Sequence, residues 1–187
     1  METTIIFLIG LPGSGKSTIG KRIAAENNFC YLDKDIVCNH FTGFLLELKG
    51  YSRYDREGSF YNNILMDLEY KTLLNIANDN LKLGKSVIVD APFINYLSNI
   101  NYLEELKETY DWKDIKPIVI SVNIDFAVLK NRMIDRSLDR DKWKLANWDV
   151  YIKSIQKKQC RWKNIRIIQL DNSYLSIDTP NLQRIFQ

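Results

Sequence analysis

The segment Gly10-Leu11-Pro12-Gly13-Ser14-Gly15-Lys16-Ser17-Thr18 satisfies the pattern G-x-x-x-x-G-K-[ST] at every fixed position. Its glycines let the backbone wrap an anion without Cβ clashes. The N–H groups from Gly13 to Thr18 then converge on a β-phosphate at the N-terminus of the following helix. Lys16 reaches the β- and γ-phosphates, and the Ser17 hydroxyl is placed to ligate Mg2+. The chemistry defined by this loop is the binding of a nucleoside triphosphate, with ATP and Mg2+ as the expected cofactors.

Two further groups of residues suit phosphoryl chemistry. Leu32-Asp33-Lys34-Asp35 puts carboxylates at i and i+2 where a short strand ends. At strand spacing both face one crevice, where one serves the metal shell and the other orients an acceptor hydroxyl. One of them also suits the N-cap of a helix starting near Ile36. Asp90 closes the apolar run Val87-Ile88-Val89 and is a second candidate for a Mg2+-bound water, or else it caps a turn before Pro92. Arg132, Arg136 and Arg140 recur every four residues, which lays them along one helical face. Their forked guanidinium groups match phosphate oxygens, although Asp135, Asp139 and Asp141 could pair with them instead.

These residues need a scaffold that alternates strands with helices. Residues 3–9, 29–32, 87–89, 118–124 and 165–170 read as strands, the near-continuous apolar kind expected of a parallel sheet covered on both faces. Helices are predicted over 16–27, 37–48, 59–83 (stopped by Gly84), 98–110 (capped by Ser98), 147–160 and 179–186, with another between the fourth strand and residue 144. The whole chain, 1–187, reads as one domain. Acceptor specificity is expected over 36–66, with His40, Arg53, Tyr54 and Arg56 as candidates. Trp143, Trp148, Tyr151 and Trp162 follow the arginines and read as packing at helical spacing, with stacking on a base as the alternative.

Composition narrows the function classes. Hydrophobic residues make up 45% and charged residues 26%, a balance that supports a packed core. The net charge of +3 permits an anionic ligand but supplies no basic stripe for nucleic acid. Cys30, Cys38 and Cys160 form no CxxC pair, and His40 is the sole histidine, which argues against a zinc site. The apolar run Ile5–Ile9 is too short to span a bilayer and no basic segment precedes it, so no membrane partner and a cytoplasmic location are expected. The guanine-reading N-K-x-D and an L-S-G-G-Q-like signature are both absent, and the length leaves no room for the helical domain of a ring ATPase.

The phosphate loop together with Leu32-Asp33-Lys34-Asp35 resembles the small P-loop kinases, a clade holding shikimate kinase, gluconate kinase, chloramphenicol phosphotransferase, the zeta toxins and polynucleotide 5′-kinase. Asp55-Arg56-Glu57 and the strand end Val87 to Phe93 extend the likeness to a predicted-kinase "AAA family ATPase" group, over residues 5 to about 151. The resemblance implies an α/β P-loop NTPase fold of three layers. Its five-stranded parallel sheet has order 2-3-1-4-5, with helices on both faces and a helical lid over about 132–146. It implies Asp35 as the acceptor-binding, base-like aspartate and Asp33 as the aspartate near Mg2+. It also implies Arg132 as the base-stacking residue, and Arg136 or Arg140 as the residue that stabilises the transferring phosphoryl group. The expected function is ATP- and Mg2+-dependent transfer of the γ-phosphoryl group to a hydroxyl of a small molecule, by a monomer or homodimer. The alternatives are a polynucleotide 5′-hydroxyl kinase and an ATP-binding regulator without an acceptor.

Overall fold

The computed structural model describes residues 3–174. Its core strand β1 (Thr3–Gly10) carries five consecutive apolar residues, Ile5 to Ile9, all at most 2% exposed. Alternation sends Ile5, Phe7 and Ile9 to one face and Ile6 and Leu8 to the other. Both faces are covered, which is why the run is unbroken rather than alternating. The first face packs on α3 (Met66–Lys82), whose Tyr70, Leu73, Leu74, Ala77 and Leu81 repeat at helical spacing, and on α4 (Tyr102–Tyr110). The second packs on Ile19, Ile23 and Ala24 of α1 (Lys16–Asn27).

Five parallel strands pair in the order β2-β3-β1-β4-β5, with β2 at Cys30–Asp33, β3 at Val87–Asp90, β4 at Ile115–Asn123 and β5 at Arg166–Asp171. This is the order the resemblance implied. Because β2 and β3 run in parallel register, Asp33 lies directly opposite Asp90, and Asp90 opposite Leu8. The carboxyl ends of three strands therefore meet beside the phosphate loop.

Several boundaries differ from the sequence reading. Helix α2 (Lys34–Leu48) starts at Lys34, because the Asp33 side chain accepts the Asp35 N–H at 2.8 Å and caps it there. The predicted helix over 59–83 is interrupted by a π-helical segment, Tyr61–Leu65, before α3. Ser98 does not cap α4; the helix begins after Asn101, and no side chain caps it. Strand β4 begins at Ile115 and contains Pro117, which the sequence reading left outside; β5 starts opposite Ile118, so Pro117 has only one strand neighbour. The predicted helix over 147–160 is α7 (Trp148–Ile155), preceded by the short α6 (Lys142–Ala146). Trp162 lies apart from the other late aromatics, against Phe7, Phe93 and Tyr102 in the main core. The expected helix over 179–186 lies outside the described residues.

Gly20 shows how tightly α1 sits on the sheet. A Cβ there would lie 2.6 Å from Leu8 Cδ2 and 2.7 Å from the Tyr31 ring. Gly20→Ala is expected to destabilise the chain by about 2 kcal/mol through overpacking. A urea midpoint lowered at unchanged m-value checks it, and an unchanged midpoint refutes the tight fit.

Candidate active site

The phosphate loop links β1 to α1. Gly13 and Gly15 hold φ of 90° and 91°, left-handed values that only glycine adopts without strain. A Cβ on Gly13 would lie 3.0 Å from Leu129, and one on Gly15 would strike the Asn172 side chain. Gly15 is also the N-cap of α1 and no side chain caps that helix, so its first turn presents N–H groups to the loop's interior. Lys16 is 8% exposed and donates to the Leu11 carbonyl at 3.2 Å. Burial pushes its ammonium below the ordinary lysine range, against the pull of Asp90, Asp35 and Asp33.

The neighbouring carboxylates are organised by Tyr31, which the sequence reading did not single out. Its hydroxyl donates to Asp90 Oδ2 at 2.6 Å and lies 3.3 Å from Asp33 Oδ2. Ser17 Oγ is 3.5 Å from that Asp33 oxygen. Burial raises the Asp90 carboxyl above the usual range, opposed by Lys16 and by hydrogen bonds from Tyr31 and Ser17. Asp33 and Asp35 are not on one strand as expected: Asp33 ends β2 and caps α2, while Asp35 stands in the first turn of that helix. Asp35 bonds Arg140 through Oδ2, and its Oδ1 lies 3.7 Å from Lys34 Nζ. Burial opposes the charge on Asp35, yet Lys34 and Arg140 hold its carboxyl below the usual range.

The three arginines reach the same place by a different route from the one predicted. Helix α5 (Phe126–Arg136) ends at Arg136, where Ser137 turns left-handed at φ 48°. Arg140 therefore sits in the 3-10 turn Asp139–Asp141, off the α5 face that carries Arg132 and Arg136. Arg132 Nη2 donates to the Asn172 carbonyl at 2.8 Å, and Asn172 Nδ2 donates to the Ser14 carbonyl at 2.7 Å. Arg136 Nε donates at 2.6 Å to Asp141, which is 1% exposed, so one of the acidic partners anticipated from sequence is real.

A cavity of about 720 Å³ gathers these groups: Pro12, Gly13 and Gly15 to Thr18 of the loop, the carboxylates Asp33, Asp35 and Asp90, and Arg56, Arg132, Arg136 and Arg140. Gly10 and Leu11 face a smaller recess behind the loop, and Ser14 is wholly buried. The acceptor candidates divide. Arg56 lines the cavity, with its guanidinium over the Tyr61 ring at 5.0 Å and bonded to the Asn39 side chain at 3.2 Å. His40, Arg53 and Tyr54 line an adjoining concavity that also touches Asp35 and Arg140. The structure does not bring His40 and Arg53 into the main cavity, because they lie on the outer side of the Arg140–Asp35 contact.

Sequence reasoning missed several lining residues. Trp143, read as packing, is 44% exposed and lines the cavity. Lys144 joins it, 3.4 Å from Glu57. Lys34 is 6% exposed and bonded at 2.5 Å to Glu69, itself 3% exposed. The available signal was Glu69 itself, an acid on the apolar face of α3 beside Tyr70 and Leu73. Among the described residues, no helix is long and apolar enough to cross a membrane.

A family model described as "AAA domain" matches residues 5–157. A shikimate kinase of Francisella tularensis subsp. holarctica is 30% identical over 149 residues, which cover 73% of this chain and 79% of that protein. A shikimate kinase of Paracidovorax citrulli is 37% identical over 76 residues, 41% of this chain and 38% of that protein, so this match spans well under half the relative's length. Among solved structures, a sugar kinase from Janibacter sp. HTCC2649 superposes with a TM-score of 0.62 at 16% identity, covering 100% of this chain and 93% of that one.

Proposed function

The chain belongs to the family of small P-loop kinases that this AAA-domain match defines, and from that premise we propose that it transfers the γ-phosphoryl group of ATP to a hydroxyl of a small-molecule acceptor. The observation that carries this reading is the convergence of Lys16, Asp35 and Arg140 on one cavity. Lys16 and the loop N–H groups hold the β- and γ-phosphates. Asp35 accepts a hydrogen bond from the acceptor hydroxyl, directs its oxygen at the γ-phosphorus and takes up its proton, while the bond to the β-phosphate oxygen breaks and ADP leaves. A carboxylate held below its usual pKa is a weak base, so its contribution is mainly orientation. That suffices for a loose transition state in which the nucleophile keeps its proton until late. Arg132 takes the base, and Arg136 and Arg140 take charge on the transferring group.

The donor set around Tyr31 fits Mg2+: it offers hydroxyl and carboxylate oxygens only, from Ser17, Asp33 and Asp90. Among the described residues, no three His, Cys, Asp or Glu side chains form a cage, as suits an ion held largely by phosphates and water. When bound, the ion neutralises charge on the β- and γ-phosphates. Within a single domain over 1–187, residues 36–66 form the acceptor region and 132–146 the lid.

The test uses γ-labelled ATP with Mg2+ and pooled sugars, sugar acids, nucleosides, antibiotics, nucleotide sugars and 5′-hydroxyl oligonucleotides. Label is expected in one small-molecule pool. Label only in oligonucleotides would replace the small-molecule reading, and tight ATP binding with no labelled pool would favour a regulator. Of the two transfer arginines, Arg136 is anchored by buried Asp141, so Arg136→Ala is expected to lower kcat about a hundredfold with little change in the KM for ATP. Unchanged kinetics would leave Arg136 as a strut for the lid.

A further inference from the structure

A buried ionic network lies beneath Asp35, at the junction of α2, the π-helical segment and α3. Lys34, Cys38 and Thr42 recur on one face of α2, and that face is turned inward onto α3. The Glu69 carboxylate of α3 accepts from two of them, Lys34 and Thr42, and from Tyr61 of the π-helical segment. Its Oε2 accepts from Lys34 Nζ at 2.5 Å and from the Tyr61 hydroxyl at 2.8 Å, and its Oε1 accepts from Thr42 Oγ1 at 2.6 Å. The Cys38 thiol points to the Glu69 carbonyl at 3.7 Å. Burying an ion pair of this kind adds little stability over apolar side chains of the same volume. A π-turn is a rare local geometry that recurs at functional sites, and here it begins at Tyr61, one of the Glu69 donors. The network also reaches the cavity at two points. Lys34 Nζ lies 3.7 Å from Asp35 Oδ1, and the Tyr61 ring carries Arg56 on its face at 5.0 Å.

We propose that Lys34 and Glu69 are positioning residues for phosphoryl transfer. Glu69 pins the Lys34 ammonium under Asp35, so that the carboxylate is held between Lys34 and Arg140. Tyr61 ties this strut to the acceptor region through Arg56. Among the described residues no hydrogen bond or ion pair joins Lys34, Tyr61 or Glu69 to the phosphate loop, so the effect falls on the acceptor half of the reaction. The proposal rests on reading Asp35 as the acceptor-facing carboxylate.

Lys34→Met alone strands a buried Glu69 charge and risks failing to fold. Lys34→Met/Glu69→Gln removes both charges; the glutamine amide oxygen accepts from one of the Tyr61 and Thr42 hydroxyls while its N–H donates to the other, and this is the decisive variant. It is expected to melt within about 5 °C of wild type. Its kcat is expected to fall about a hundredfold, as for a nucleophile held roughly 1 Å out of place, with the KM for ATP changed less than about threefold. A double variant with wild-type kcat would overturn the proposal and leave the pair a folding feature. So would a loss confined to ATP binding. If the wild-type chain labels no acceptor, the functional reading fails by itself, and the strut is then judged by crystal structures of both chains without ligand. Asp35 is expected to leave its position between residue 34 and Arg140 in the double variant; an unmoved carboxylate would refute the strut.

Discussion

Lys16→Ala is expected to lower phosphoryl transfer by at least about a thousandfold, measured as label moved from γ-labelled ATP. In the proposed mechanism Lys16 follows charge from the bridging oxygen to the γ-phosphoryl group, and burial has already removed most of its contact with water. The residue is 8% exposed, and among the described residues its ammonium donates to the Leu11 carbonyl. Burial lowers its pKa, so the charge is unfavourable in the nucleotide-free chain and a polyphosphate relieves that cost. The alanine chain is therefore expected to melt close to wild type. Stabilisation by saturating ATP, about 2.7 kcal/mol at a hundredfold excess over Kd, is expected to be largely lost. Turnover within tenfold of wild type would sink the mechanism. A chain that no longer folds would show a low melting temperature before any nucleotide is added.

Asp35→Asn is expected to reduce kcat by about a hundredfold or more while the KM for ATP stays within about threefold. Asparagine keeps the shape and one acceptor oxygen but removes the charge. It cannot take up a proton, and it loses the ion pair with Arg140. That pair contributes little to stability, since the two side chains are 40% and 34% exposed and solvent screens them. A comparable melting temperature is expected, which separates a chemical defect from a structural one. Loss of ATP binding instead would move Asp35 into the metal shell beside Asp33. Wild-type turnover would remove it from the reaction.

The phosphate loop was legible because its information is local. Glycines with positive φ, a lysine and a hydroxyl stand in one short segment, and the strand before and helix after it follow from apolar patterning. Asp33 and Asp35 were legible as residues but not as geometry. Strand alternation predicted a shared face, whereas Asp33 capping α2 at Asp35 N–H turned the second carboxylate into a helix. The arginine repeat was legible as a group. Its periodicity misled about Arg140, because Ser137 ends the helix and only the 3-10 turn returns Arg140 to Asp35. His40 and Arg53 were singled out for their chemistry alone, and their place in the adjoining concavity follows from how α2 packs. Glu69 was hidden because its partner Lys34 stands 35 residues away, and no local pattern links them.

By itself the sequence determined the α/β class, the strand–loop–helix that grips phosphate, and the stock of carboxylates and arginines available for transfer. It could do so because strand and helix periodicity and loop chemistry act over a few neighbouring residues. Tertiary structure alone decided which of those charges meet. Parallel register set Asp33 opposite Asp90 under one tyrosine, and the return of the chain after α5 set Arg140 on Asp35. Helix packing buried Lys34 and Glu69 as a pair beneath the same carboxylate. Those pairings are long-range: burial demands a partner for Lys34, Glu69 and Asp90, whereas the half-exposed Arg140–Asp35 contact follows from where the chain returns after α5.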